Sequence, residues 1–261
     1  MEPFSIQKPE WYESIYKDKD YKYEAEYLLH IFKKNNPYKP VILDVGAGTG
    51  KLISFLINNS TKYIALEPNK LFCKFIDKRY SFNKKVFIEN SSFENYVSKA
   101  DKDINLVVAN FNVMNYIKYE NFLELTNTIY KKLKSKSIFI FDLWSLEYVL
   151  KQSAEMNSYK IISNKSNKKN NVIVRFSNSI FNKKESNIQI KFNFVRVNPT
   201  SMENLGSEMH KIMPYSIEKL IDDMIKQGWK ILKLNEIKHN KYSKNIDFSS
   251  QRNWFISIQK I

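Results

Sequence analysis

At 261 residues, 43% of them hydrophobic, the chain has room for one large domain, or a core domain with an insertion, around a sizeable apolar interior. A single cysteine excludes an internal disulfide and a CxxC metal site, and three scattered histidines offer no zinc cluster, so no metal is expected. No apolar run reaches roughly 18 residues and the N-terminus lacks an apolar signal-peptide core, so the expectation is a soluble, cytoplasmic protein without membrane contact.

The formal charge of +15 invites a nucleic-acid partner, since lysine-rich surfaces bind polyphosphate. Much of that excess lies in lysine and asparagine mixtures such as KIISNKSNKKNN, whereas base-reading surfaces favour the arginine fork. A solvated basic surface, equally suited to a smaller anionic substrate, is the competing reading.

In chain order, residues 10–34 predict one helix: Tyr21, Ala25, Leu28, Leu29 and Phe32 fall at helical spacing, and Asn35, Asn36, Pro37 and Pro40 end it. VILDV predicts a buried strand, KLISFLINN a helix start, KYIALEP a second strand and LFCKFIDKRY a helix. KKVFIEN and INLVVANFNVM predict strands three and four, ENFLELTNTIYKKLK an amphipathic helix and SIFIFDLW a fifth strand. Apolar strands alternating with helices argue for a parallel sheet covered on both faces. After Trp144 the pattern changes: NVIVRFSNSIFN and NIQIKFNFVRV, separated by KKES, read as an antiparallel hairpin, and residues 163–171 as a mobile low-complexity loop. YSIEKLIDDMIKQGW predicts a helix with Ser216 as N-cap and Gly228 as its stop, and WKILKLNEI and NWFISIQKI return to the main sheet. The expected fold is α/β, a Rossmann-like, doubly wound, seven-stranded and mostly parallel sheet with an inserted antiparallel β-rich subdomain. Its expected divisions are a helical cap over 1–40, a core over 41–150, a β-rich insertion over 151–214 forming a substrate wall, and a closing segment over 215–261.

Three of the five glycines stand at alternate positions in VILDVGAGTG, directly after the first strand, where they let a ligand approach the main chain. The dinucleotide fingerprint GxGxxG would need its third glycine at position 51, which is Lys51, so the spacing leans away from a nicotinamide dinucleotide. GxGxG after the strand-borne Asp44 resembles the nucleoside-binding turn of class I S-adenosylmethionine methyltransferases. That resemblance implies S-adenosylmethionine as cofactor, held by Asp44, Gly46, Ala47 and Gly48. Glu67 in ALEPN, 23 residues beyond Asp44, stands where an acid can accept both ribose hydroxyls, with Pro68 beside it. Ser92 and Phe93 in ENSSFENY match the family positions flanking adenine, and Asn110 opens NFNVMNY, where methyl and acceptor should meet. NFNVMNY is not the DPPY or NPPY tetrad of DNA adenine methyltransferases. Cys73, mid-helix, reads as a packing residue.

WYESIYKDKDYKYEAEYL resembles the opening of the methyltransferases that dimethylate amino groups of nucleotide-linked deoxysugars, with Tyr12, Tyr16, Asp20 and Tyr21 at the matching places. The resemblance continues through Phe111 and Tyr116, through DLW at 142–144, and through EMHKIMPYS with Glu208 and His210. It implies cofactor contact for Tyr21, catalytic roles for Tyr16 and His210, and substrate contact for Tyr12, Phe111, Tyr116, Trp144 and Glu208. The bland alternatives are that Tyr12 and Tyr16 form the apolar face of a helix, that Glu208 and His210 are a structural pair on one strand face, and that His30 and His239 lie on a helix surface and a loop. Asn112 and Val113 depart from the small hydroxyl residues of that family. The function implied is methyl transfer to an amine or hydroxyl of a small, anionic molecule, a nucleotide-linked sugar, by a monomer or homodimer, with His210 as base if the acceptor is a hydroxyl. The alternatives are an RNA-modifying methyltransferase, for which nucleic acid is the partner, and a non-catalytic S-adenosylmethionine-binding protein.

Overall fold

Runs such as VILDV and KYIAL carry side chains that are apolar on both faces, which only a strand inside a covered sheet can bury. In the computed structural model, which describes residues 3–152, 155–162, 172–235 and 247–261, these runs form β1 (Val41–Val45) and β2 (Lys62–Leu66). With β3 (Val86–Glu89), β4 (Leu106–Ala109) and β5 (Ile138–Trp144) they pair in parallel. The 163–171 loop and His239 lie outside the described residues.

The chain divides into two compact units, Asp20–Lys151 with Pro214–Ile261, and Met1–Lys19 with Gln152–Met213. The expected single helix over 10–34 is two: α1 (Pro9–Ile15) belongs to the smaller unit and α2 (Tyr21–Asn35) to the larger. The break has a local cause, because the Asp20 carboxylate accepts the Tyr23 N–H at 2.9 Å and caps α2 as a fresh N-terminus.

In the larger unit, α3 (Ile53–Leu56) follows the glycine turn and α4 (Lys70–Tyr80) starts from Asn69, whose side chain accepts the Leu71 N–H. The short α5 (Phe93–Tyr96) follows β3, α6 (Tyr119–Lys132) precedes β5, and α7 (Leu146–Lys151) follows it. In the smaller unit, β6 (Glu155–Ile162), β7 (Val172–Asn182), β8 (Asn187–Val197) and β9 (Met202–Ile212) form an antiparallel meander, with the KKES turn closed by the Asn182 and Asn187 pair. On this sheet Ile15 of α1 packs with Ile162, Ile173 and Phe194.

The chain returns to the larger unit through α8 (Ile217–Lys226), capped by Ser216, whose hydroxyl accepts the Lys219 N–H, then β10 (Trp229–Asn235) and β11 (Asn253–Lys260). The main sheet runs β10-β11-β5-β4-β1-β2-β3, with β11 antiparallel to both neighbours. This is the expected seven-stranded, mostly parallel sheet with a separate antiparallel one. Its core joins Leu28, Leu29 and Phe32 of α2 to Ile42, Tyr63, Leu106 and Ile140 of the strands. β1 lies between β2 and β4, so the strand order reverses there, and the carboxyl ends of these strands make the crevice where open α/β sheets bind ligands. Among the described residues no helix is long and apolar enough to cross a membrane.

Candidate active site

The turn after β1 takes left-handed backbone at Gly46 (φ 71°) and Gly48 (φ 58°), which residues with a Cβ rarely adopt. A Cβ on Gly46 would stand 2.6 Å from Val113 Cγ2, so only glycine lets the turn pass the segment after β4. At Gly48 the same position is open, with no atom nearer than 3.9 Å. A glycine turn that leads into a helix can present its N–H groups and the helix N-terminus to a ligand. Instead Gly46 and Ala47 both donate to the Leu66 carbonyl (2.8 and 3.0 Å), Gly48 donates to Glu67 and Gly50 to the Ala47 carbonyl, while α3 spans four residues. With these amides taken, the turn offers close main-chain approach rather than a phosphate nest, which fits a nucleoside without a pyrophosphate.

Glu67 closes this turn. Its Oε2 accepts the Gly48 N–H at 2.9 Å and its Oε1 the Asn69 N–H at 2.8 Å. Burial pushes the carboxyl up to about 7; the two amide bonds pull it down, and Asp44 adds to the rise. Asp44 is buried and its Oδ2 accepts the Tyr63 hydroxyl at 2.7 Å. Burial, and then the negative Asp44, raise Tyr63 well above the usual phenol range, so it remains a donor. Pro68 is exposed, and its carbonyl and that of Glu67 accept the Asn90 side chain. The buried Cys73 thiol donates to the Glu67 carbonyl at 3.2 Å and is pushed up to about 11, chiefly by burial, which makes it an unreactive packing group.

Ser92 caps α5, its hydroxyl accepting the Asn95 N–H, and Phe93 is buried with its ring edge-on to Phe139. Tyr21 opens α2 and packs on the main core. At the end of β4, Asn110 is 5% exposed, and neither its Oδ1 nor its Nδ2 has a hydrogen-bond partner among the described residues. Phe111 (φ 73°) and Asn112 (φ 59°) follow in left-handed backbone, and two such non-glycine residues in succession mark a segment held in place by its surroundings. The holders are residues to which the sequence reading gave no role. Asp142 Oδ1 accepts the Asn112 N–H at 2.7 Å, and Asn115 Oδ1 accepts the Trp144 N–H at 2.9 Å. The buried Tyr215 hydroxyl lies 2.8 Å from the Met114 carbonyl and 2.6 Å from that of Ile117. Tyr116 is half-buried in the same turn, and the Trp144 ring carries the Arg252 guanidinium 4.5 Å from its centroid.

Tyr12, Tyr16, Glu208 and His210 lie in the smaller unit. The Tyr12 and Tyr16 rings are 4.7 Å apart, and Arg175 donates to the Tyr16 hydroxyl. Glu208 is fully buried, with Oε2 accepting the Ile6 and Gln7 N–H groups and Oε1 3.0 Å from His210 Nε2. Phe4 and Phe192 present ring edges to His210, each 4.8 Å away. Within this unit the pair pins the N-terminal segment to β9. His30 is exposed on α2.

Residues 42–136 match the family model described as a methyltransferase domain. No curated protein matches the chain. Among solved structures, the chain is similar to an S-adenosylmethionine-dependent methyltransferase from Clostridium acetobutylicum, with 17% identity, 95% of this chain and 96% of that chain covered, and a TM-score of 0.76. It is also similar to CalS10, an amino pentose methyltransferase from Micromonospora echinaspora (13% identity, both chains covered in full, TM-score 0.73). The sugar N-methyltransferase KedS8 from Streptoalloteichus shares 11% identity over 94% of this chain and 90% of its own, with a TM-score of 0.71. Residues 42–136 thus carry a methyltransferase domain, and the chain as a whole has the fold of the S-adenosylmethionine-dependent methyltransferases to which it is similar.

Proposed function

We propose that the protein methylates an amine of a small molecule, and that a nucleotide-linked amino sugar is its acceptor class. The observation that carries the cofactor half is the Glu67 carboxylate, fixed by the Gly48 and Asn69 amides beside a turn whose Gly46, Ala47 and Gly50 N–H groups bond to main-chain carbonyls. Such an acid suits two neighbouring hydroxyls and gives a pyrophosphate nothing to bind. Glu67 would hold the ribose and Asp44, Gly46, Ala47 and Gly48 would line the turn. Tyr21, Pro68, Ser92 and Phe93 would contribute around the base, and the unpartnered Asn110 amide would meet the amino-acid end. When bound, S-adenosylmethionine supplies a methyl group made electrophilic by its sulfonium.

The acceptor half is supported by full-length likeness to CalS10, described as an amino pentose methyltransferase, and to KedS8, described as a sugar N-methyltransferase. The protein's task is alignment: in the larger unit Phe111, Tyr116 and Trp144 would orient the acceptor, and for the smaller unit the family resemblance alone proposes substrate contact by Tyr12, Tyr16 and Glu208. A neutral amine needs no strong base, only a route for one proton to solvent. A base role for His210 belongs to a hydroxyl acceptor, and an unchanged rate in His210→Ala would remove it. The experiment is a methyl-transfer assay on nucleotide-linked amino and hydroxy sugars, with tRNA as comparator. Turnover of amino sugars alone is expected; turnover of tRNA alone would overturn the small-molecule reading.

A further inference from the structure

Three of the buried hydrogen-bonding atoms without a partner among the described residues lie at the same end of the main sheet as the Asn110 amide. They are Oδ1 of Asn112, just after β4, Nε1 of Trp144 at the end of β5, and Oδ1 of Asn253 at the start of β11. Strand register brings them together, since Ala109 pairs with Phe141 and Asn253 with Trp144. Leaving such atoms dry and unpaired is unfavourable, so a group of them at a sheet's carboxyl edge marks a place built for a ligand.

The arrangement also states what that ligand must offer. Asp142, 2% exposed, accepts the Asn112 N–H at Oδ1 (2.7 Å) and the Asn253 Nδ2 at Oδ2 (3.3 Å). An ionised carboxylate only accepts, so it fixes the Asn253 amide with its nitrogen inward and its carbonyl oxygen open. The same carboxylate holds Asn112 in its left-handed conformation, with that residue's Oδ1 likewise open. Two open carbonyl oxygens tied to one buried carboxylate select a group with at least two hydrogens to donate, while the Trp144 Nε1–H calls for an acceptor elsewhere on the ligand. A primary amine or ammonium qualifies, while a hydroxyl can satisfy only one of them.

We propose that Asn112 and Asn253 form the acceptor's amine subsite and that Asp142 is the positioning residue that aims both. This rests on the amine-methylating reading above and assigns residues to it. The test titrates the S-adenosylhomocysteine-loaded protein calorimetrically with uridine- and thymidine-diphosphate-linked amino sugars and with their hydroxy counterparts. It uses wild type, Asn253→Ala, Asn112→Ala and Asp142→Asn, with S-adenosylmethionine affinity and melting temperature measured for each. Asn253→Ala and Asn112→Ala should each weaken amino-sugar binding about tenfold, the size of one lost hydrogen bond to a ligand. Asp142→Asn should weaken it further, hydroxy-sugar binding should change little, and Asn253→Ala should keep the wild-type cofactor affinity. Equal losses for both sugar types, no loss, or a wild-type protein that binds no amino sugar would overturn the subsite. A wild-type protein that does not bind S-adenosylmethionine would instead overturn the cofactor reading beneath it, a separate result from the sugar titration.

Discussion

A carboxyl group that accepts two backbone N–H bonds usually ionises easily, yet at Glu67 burial outweighs both bonds and holds it at about 7. In the proposed role ribose hydroxyls would donate to the charged form, so cofactor binding below pH 7 would first expel a proton. Affinity for S-adenosylmethionine should therefore rise between about pH 6 and 8 and then level off. Calorimetry in buffers of different ionisation enthalpy should register proton release near pH 6.5; a flat profile would contradict the assignment. In the protein without cofactor, the folded carboxyl binds its proton more tightly than the unfolded one. Its contribution to stability is full below the ordinary value of 4.5 and is lost as pH rises through about 7. Gly46 makes a second prediction. Alanine there meets Val113 at 2.6 Å with φ at 71°, and should cost about 2–4 kcal/mol in chemical denaturation. Adding Val113→Ala should recover the steric part and leave the backbone part, a coupling that a double-mutant cycle measures.

Caps and ties decide how the elements reach the site. Asp20→Ala removes the cap of α2 and should lower stability by about 1 kcal/mol, read as a shift in denaturation midpoint. Tyr215→Phe leaves the Met114 and Ile117 carbonyls without their shared donor and should cost about 1–3 kcal/mol, with loosening of the segment after β4 visible as faster amide exchange. β1 to β5 are legible in the sequence because each is an apolar run bounded by turn residues, and the glycine turn is legible because glycine is so sparingly used elsewhere. The break between α1 and α2 is hidden in KDKD because no glycine or proline marks it; the capping carboxylate of Asp20 is the signal that separates them. β6 is hidden because EMNSYKII lacks strong alternation before it enters the lysine and asparagine patch. Asp142 and Tyr215 could not be found by spacing, since their partners Asn112, Asn253, Met114 and Ile117 are brought to them only by strand order and register.

Across the whole molecule the net charge of +15 is the feature with most readings. If it served a polynucleotide, turnover would fall steeply with salt as counterions are released; a small nucleotide-linked acceptor carries few charges, and its turnover should change by less than about tenfold between 50 and 200 mM salt. A rate that collapses over that range would return the RNA reading to first place. The proposed cofactor site turns on one joint, where the end of β2 meets the turn after β1 through Glu67 and Gly48. The most direct test is calorimetric titration of S-adenosylmethionine into wild type and Glu67→Gln at pH 8, with equal folding verified by melting. Saturable binding at one site, weakened about tenfold or more in the variant, is the predicted result. Absence of saturable binding to wild type, or equal affinity in the two proteins, would contradict it.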